Sequence, residues 1–113
     1  MALYTELAVY RDTYQLILKV FEYSKDFPRE YRFTLGQDMK RDSLQLVRNL
    51  YRANKAQNKQ VYLEHFLDDF ELLKLEIRIA MEMKLMSIKK QATLSRLMEC
   101  IGRQVTGWRN SSQ

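Results

Sequence analysis

The chain has 113 residues, 46% of them hydrophobic and 29% charged, with three Gly, one Pro and one Cys. That length fits one domain, a single Cys excludes an internal disulfide, and no uncharged apolar run reaches the roughly 18 residues of a membrane span. The formal charge of +5 and the pI near 9.4 suit a polyanionic partner, although many basic domains are merely soluble.

Breakers are scarce and good helix formers abundant, so periodicity predicts four amphipathic helices. Helix one is expected over about 4–25, with Leu7, Tyr10, Tyr14, Ile17, Leu18 and Phe21 as its core face. Lys25-Asp26-Phe27-Pro28 ends it, because a residue before proline avoids helical geometry. Helix two is expected over about 33–55, with a helical turn before it at Pro28 to Arg32 and a core face of Leu35, Met39, Leu46 and Leu50. The polar run Asn54 to Asn58 reads as a connection. Helix three, about 59–85, repeats Leu63, Phe66, Leu67, Phe70, Leu73, Ile77, Ala80 and Met81. Ser87 is a candidate N-cap for helix four, about 88–109, whose core face is Leu94, Met98, Ile101, Val105 and Trp108. Asn110 to Gln113 reads as a frayed tail. Four such helices with short links predict one all-α, antiparallel up-down four-helix bundle over residues 1–113.

Charge is sorted along the chain. Residues 28–59 hold eight basic and three acidic residues, and residues 87–113 hold five and one. Residues 1–27 and 60–86 are net acidic. Arg41, Arg48, Arg52, Lys55 and Lys59 fall within one arc opposite the Met39/Leu46/Leu50 face. Lys59 joins the row only if helix two continues that far. Lys89, Arg96 and Arg103 repeat the pattern at heptad spacing in helix four. A row of cations can follow a phosphate backbone. An ordinary solvated face is the competing reading, but such a face usually mixes signs, as helix three does.

Helix one carries a second apolar stripe, Val9, Leu16, Val20 and Tyr23, roughly 140° from the first. Leu44, Val47 and Tyr51 likewise flank the core face of helix two. The second stripe is the candidate oligomer interface, the alternative being burial by neighbouring helices.

The sequence offers no set of catalytic groups. His65 is the one histidine, with Asp68 and Asp69 about a turn away and no second His or Cys pair for a metal. Cys100 precedes core residue Ile101 and reads as a buried small hydrophobe. Gly36, Gly102 and Gly107 are scattered and form no phosphate loop. Neither an enzyme, a metal, a cofactor, a small-molecule substrate nor a membrane is expected. A cytoplasmic location is, since Glu6 interrupts the N-terminus and no signal-peptide apolar region follows.

The stretch Phe27-Pro28-Arg29-Glu30-Tyr31-Arg32-Phe33-Thr34-Leu35-Gly36, followed by Gln37-Asp38-Met39-Lys40-Arg41, resembles the helix-one-to-helix-two junction of a four-helix-bundle family. That family contains the accessory variability determinant (Avd) proteins of diversity-generating retroelements and proteins encoded in intervening sequences of ribosomal RNA. Ile101-Gly102-Arg103-Gln104-Val105-Thr106-Gly107-Trp108 is more similar to the Avd branch. The ribosomal branch carries a proline-containing segment where this chain has Leu46 to Asn54, with no Pro or Gly. The resemblance implies a pentameric barrel with basic surfaces. It also implies binding to nucleic acid, RNA first and DNA second, and to the retroelement's reverse transcriptase while a template RNA is copied mutagenically. Under it, the Arg41-to-Lys59 row is the leading contact surface, Lys89, Arg96 and Arg103 the second, and Val9, Leu16, Val20 and Tyr23 the subunit interface. A ribosomal intervening-sequence protein, or a scaffold for an acidic protein, remains the alternative. Phe27 should plug the bundle end, and Gly36 and Gly107 should each admit a close neighbour.

Overall fold

The computed structural model describes residues 3–112. Four long helices carry the fold: α1 (Ala8–Ser24), α2 (Leu35–Lys55), α3 (Lys59–Glu82) and α4 (Ile88–Ser111). The element order expected from periodicity holds, and no strand occurs among the described residues. Two small elements are added. Tyr4–Glu6 is a 3-10 turn, and Leu7 is extended, so α1 starts later than its apolar pattern does. Arg29–Arg32 is the helical turn expected after Pro28, which sits extended at ψ 150. The tail expected from Asn110 continues as helix to Ser111, and Gln113 lies outside the described residues.

Each helix packs on two others. α2 and α4 both lie against α1 and α3, which places α1 and α3 on one diagonal and α2 and α4 on the other. Residue pairs give the directions. Tyr4 meets Tyr51 while Lys40 lies over Phe21, so α2 returns along α1. Asn49 bonds Asp69, and Asp42 lies close enough to Glu76 to raise its pKa, so α3 returns along α2. Glu64 pairs with Arg109 and Phe70 lies against Gly102, so α4 returns along α3. Asp12 bonds Gln104 and Asp26 pairs with Lys90, which closes the square antiparallel. The result measures 44 × 23 × 21 Å, its length set by helices of 21–24 residues rising about 1.5 Å per residue.

The core of α2, α3 and α4 follows the expected faces. Met39, Leu46, Leu50, Leu63, Phe66, Leu73, Ile77, Ala80, Leu94, Ile101 and Val105 are all fully buried. Phe27 is also buried and closes the end where α1 gives way to the Pro28 turn. Gly36 is buried because a Cβ there would meet the Tyr31 carbonyl at 3.3 Å and the Ser24 Cβ at 3.4 Å, so the α2 start approaches the α1 end closely. Gly107 has no neighbour within 4 Å, so the close approach expected beside Trp108 does not occur; Gly102, against Phe70, is the glycine that touches a facing helix.

Helix one buries its second stripe, and only part of the first. Leu16 and Val20 are fully buried, and Val9 and Tyr23 are 6% exposed, all in the common core. Of the face expected in the core, Ile17 is buried and Leu7 and Tyr10 pack partly buried against the core, whereas Tyr14, Leu18 and Phe21 are 46%, 43% and 41% exposed. Val9, Leu16, Val20 and Tyr23 are therefore spent inside one chain and cannot form the oligomer interface. Both arcs of α1 are apolar, but small Thr13 and Ser24 share the buried one, and at Ser24 the α2 start approaches closely through Gly36. The bulky aromatics Tyr14 and Phe21 occupy the arc left outside.

Two helix ends show their chemistry. Ser87 is the N-cap of α4, its hydroxyl accepting from the Lys90 amide at 3.3 Å. α3 ends at Glu82, three residues before the sequence pattern does. The Leu85 amide donates back to Ala80 and the Lys84 amide to Met81, with Lys84 at φ +58. This left-handed closing position normally holds Gly, so no glycine marks the stop in the sequence. Lys84→Gly should stabilise the fold by about 1 kcal/mol, read as a higher urea midpoint with an unchanged slope. A lowered midpoint would contradict that assignment.

Candidate nucleic-acid interface

Helix period places Arg41, Arg48, Arg52 and Lys55 together on the outer corner of α2, and all four are exposed. They are not equivalent. Arg41 pairs with Asp38 at 3.3 Å and Asp42 at 3.2 Å, and hydrogen bonding and charge from Asp42 hold its pKa above the usual value. Its charge is thus largely answered within the chain. The Lys55 ammonium lies 4.3 Å from the Tyr51 ring centre and donates to its hydroxyl. Arg48 and Arg52 have no ion pair among the described residues.

Lys59 leaves the row. The chain turns extended at Ala56, and Lys59 begins α3 instead of continuing α2. Its ammonium donates to the carbonyls of Ala53, Asn54 and Ala56 at 2.9–3.2 Å. Those carbonyls lack helical partners at the end of α2, where the helix dipole also favours a cation. Lys59 is a helix terminator rather than a phosphate contact.

On the opposite corner, Lys89, Arg96 and Arg103 are exposed along α4 with no ion pair among the described residues. The two cation rows therefore occupy the α2–α4 diagonal. The sorting of charge by helix produces few contacts between helices: Lys90–Asp26 and Arg109–Glu64 are the two such ion pairs among the described residues. Cys100 differs from its sequence reading. It is half-buried, and its thiol donates to the Asp12 carboxylate at 3.4 Å, which also accepts from Gln104 at 2.6 Å.

The other diagonal is apolar. Around the α1 corner, Tyr14, Leu18 and Phe21 are continued on α2 by exposed Leu44 and Tyr51. On the α3 corner, Leu72, Leu75, Ile79 and Met83 are 40–54% exposed. They recur at three- and four-residue steps, and the pairs Glu71–Lys74 and Arg78–Glu82 flank them. Leu44 and Tyr51 already point to the first patch in the sequence, whereas the α3 patch does not stand out there, because α3 has apolar residues on two arcs and the denser one dominates the periodicity.

Between α2 and α3 lies a polar cleft of about 270 Å³, where Gln45, Arg48, Asn49 and Arg52 face His65, Asp68 and Asp69. The α2 residues recur at steps of three and four, so one helix face supplies them all. Asp69 accepts from Asn49 at 2.8 Å and His65 packs edge-on to Tyr62 at 6.0 Å, so the His–carboxylate pair that the sequence spacing allowed is replaced by other partners. No group of three or more His, Cys, Asp or Glu side chains among the described residues is arranged to hold a metal ion. No helix among them is long and apolar enough to cross a membrane.

This is an all-helical bundle whose surface alternates cationic and apolar corners. The chain belongs to the bAvd-like family, whose model matches residues 7–112. No curated protein matches it. The family assignment agrees with the resemblance seen at the Phe27–Gly36 junction and near the C-terminus.

Proposed function

We propose that this protein is a non-catalytic accessory subunit of a diversity-generating retroelement, binding template RNA and the reverse transcriptase that copies it. The family supports the accessory role. The observation that carries RNA binding is the pair of unanswered cation rows on opposite corners, Arg48, Arg52 and Lys55 on α2 and Lys89, Arg96 and Arg103 on α4. Rows of exposed guanidinium and ammonium groups displace the counterions that surround a phosphate backbone, so affinity falls steeply with salt.

The apolar diagonal supports self-assembly. An isologous dimer would need one self-complementary patch. Here two different patches lie on opposite corners, α1 with its α2 flank and α3. Joining the first patch of one copy to the second of the next makes a head-to-tail contact, which closes into a ring if the rotation permits. Five is the subunit number that the family resemblance implies. Contacts through α1 and α3 leave the α2 and α4 cation rows uncovered, so the assembly presents repeated basic rows to a long polyanion.

Reversing Arg48 and Arg52 together to Glu should lower affinity for a long structured RNA at least about tenfold and flatten the dependence of log affinity on log salt. Both residues are exposed, so helicity and assembly size should not change. Unaltered affinity and salt slope in the double variant would sink the α2 surface as the RNA contact.

A further inference from the structure

The cleft between α2 and α3 has a property that a phosphate track does not need. Two guanidinium groups and two carboxylates line the same hollow, yet none of them pairs across it within 4 Å. Asp69 is held by Asn49, while Asp68 is exposed and makes neither hydrogen bond nor ion pair among the described residues. A backbone phosphate presents only acceptors and would be repelled by Asp68. A ligand filling the gap must offer acceptors to Arg48 or Arg52 and donors to Asp68 at once.

Among nucleobases guanine matches this best. Its O6 and N7 accept a bidentate pair from one guanidinium. Its N1–H and N2–H groups form a two-donor edge that a carboxylate accepts. Uracil lacks the amine, and adenine puts its donor where guanine puts O6. Unpaired bases in single-stranded RNA can be splayed out and read on both edges, which a duplex does not allow. A cleft of about 270 Å³ holds a purine, and His65 is among the residues that line it.

We infer that this cleft is a guanine-reading pocket for single-stranded RNA, in which Arg48 or Arg52 takes the O6/N7 edge and Asp68 the N1/N2 edge. This rests on the RNA-binding reading above and adds base selection to it.

The sign of one substitution separates base reading from plain electrostatics. Asp68→Asn removes a negative charge beside two arginines, so a surface that only attracts phosphate must bind every RNA more tightly. A guanine pocket behaves oppositely. Fluorescence anisotropy should be measured with a short uridine-rich single strand carrying one central guanine and with the same strand lacking it. Wild type should prefer the guanine strand by about tenfold. D68N should erase that preference by weakening the guanine strand, not by tightening the other. Inosine in place of guanine, which lacks the N2 amine, should weaken wild type and leave D68N unmoved. Equal tightening of both strands by D68N, or no guanine preference in wild type, would overturn the pocket while leaving RNA binding intact. No binding of either strand at low salt, nor of the long structured RNA, would remove both readings.

Discussion

Glutamate at Leu16 is expected to unfold the protein, whereas glutamate at Leu18 and Phe21 is expected to leave it folded and break the proposed head-to-tail assembly. Leu16 is fully buried in the common core, and Leu18 and Phe21 lie on the opposite arc, 43% and 41% exposed. Emptying a buried leucine site alone costs about 2–5 kcal/mol, and a buried unpaired carboxylate adds several more. A domain of this size has about 5–15 kcal/mol in total. L16E should therefore lose its far-ultraviolet helical signal at ambient temperature. The double variant L18E/F21E should keep that signal and elute as a monomer, and so should L75E/I79E on the α3 corner. Mixing the two double variants restores one complementary contact and should yield a heterodimer that cannot grow. A pair of variants that both elute at wild-type mass would end the head-to-tail arrangement.

Glu76→Gln is expected to stabilise the protein above neutral pH and to flatten its pH profile. Glu76 and Asp42 are both 7% exposed, and each has one buried oxygen with no partner when both are counted as carboxylates. Burial and then the hydrogen bond with Asp42 push Glu76 up from its ordinary 4.5 to about 8, so it holds a proton that Asp42 accepts. The native state thus binds a proton that the unfolded chain releases near pH 4.5. Stability is full below that value and falls as pH rises through about 8. Each pKa unit is worth about 1.4 kcal/mol, and relaxation of the buried pair reduces the realised sum. Gln keeps the shape and donates to Asp42 at every pH. E76Q should gain roughly 2 kcal/mol at pH 9, seen as a melting temperature higher by about 8 °C, and nothing near pH 4. Parallel melting profiles for the two proteins from pH 4 to 9 would show that no proton is held there. Glu82→Gln, on the exposed end of α3, is the matched control.

The basic row shows how far sequence spacing reaches into function. Arg48, Arg52, Lys89, Arg96 and Arg103 could be assigned to exposed corners because helix period fixes which residues share a face. Whether each charge is free depends on its neighbours. Arg41 is answered by carboxylates three residues before and one after, which spacing could suggest. Lys59 is taken by carbonyls of the connection before it, which spacing could not. The residues opposite Arg48 and Arg52 follow from the pairing of Asn49 with Asp69, a contact between helices that no single-helix pattern contains.

By itself the sequence determined the four helices, their order, most of the core and the two cationic corners. Few breakers and long three- and four-residue periods leave no other secondary structure for this chain, and the Pro28 junction and Ser87 cap mark two boundaries locally. Only the tertiary structure decided which apolar arc of α1 lies inside. That helix is apolar on two sides, and the arc carrying the small residues Thr13 and Ser24 is the one most deeply buried, with Gly36 of α2 close against Ser24. The same choice decides which aromatic residues remain exposed, and the α2–α3 register decides which carboxylates share a cleft with Arg48 and Arg52. Both depend on residues far apart in sequence, so they exist only once the helices have packed.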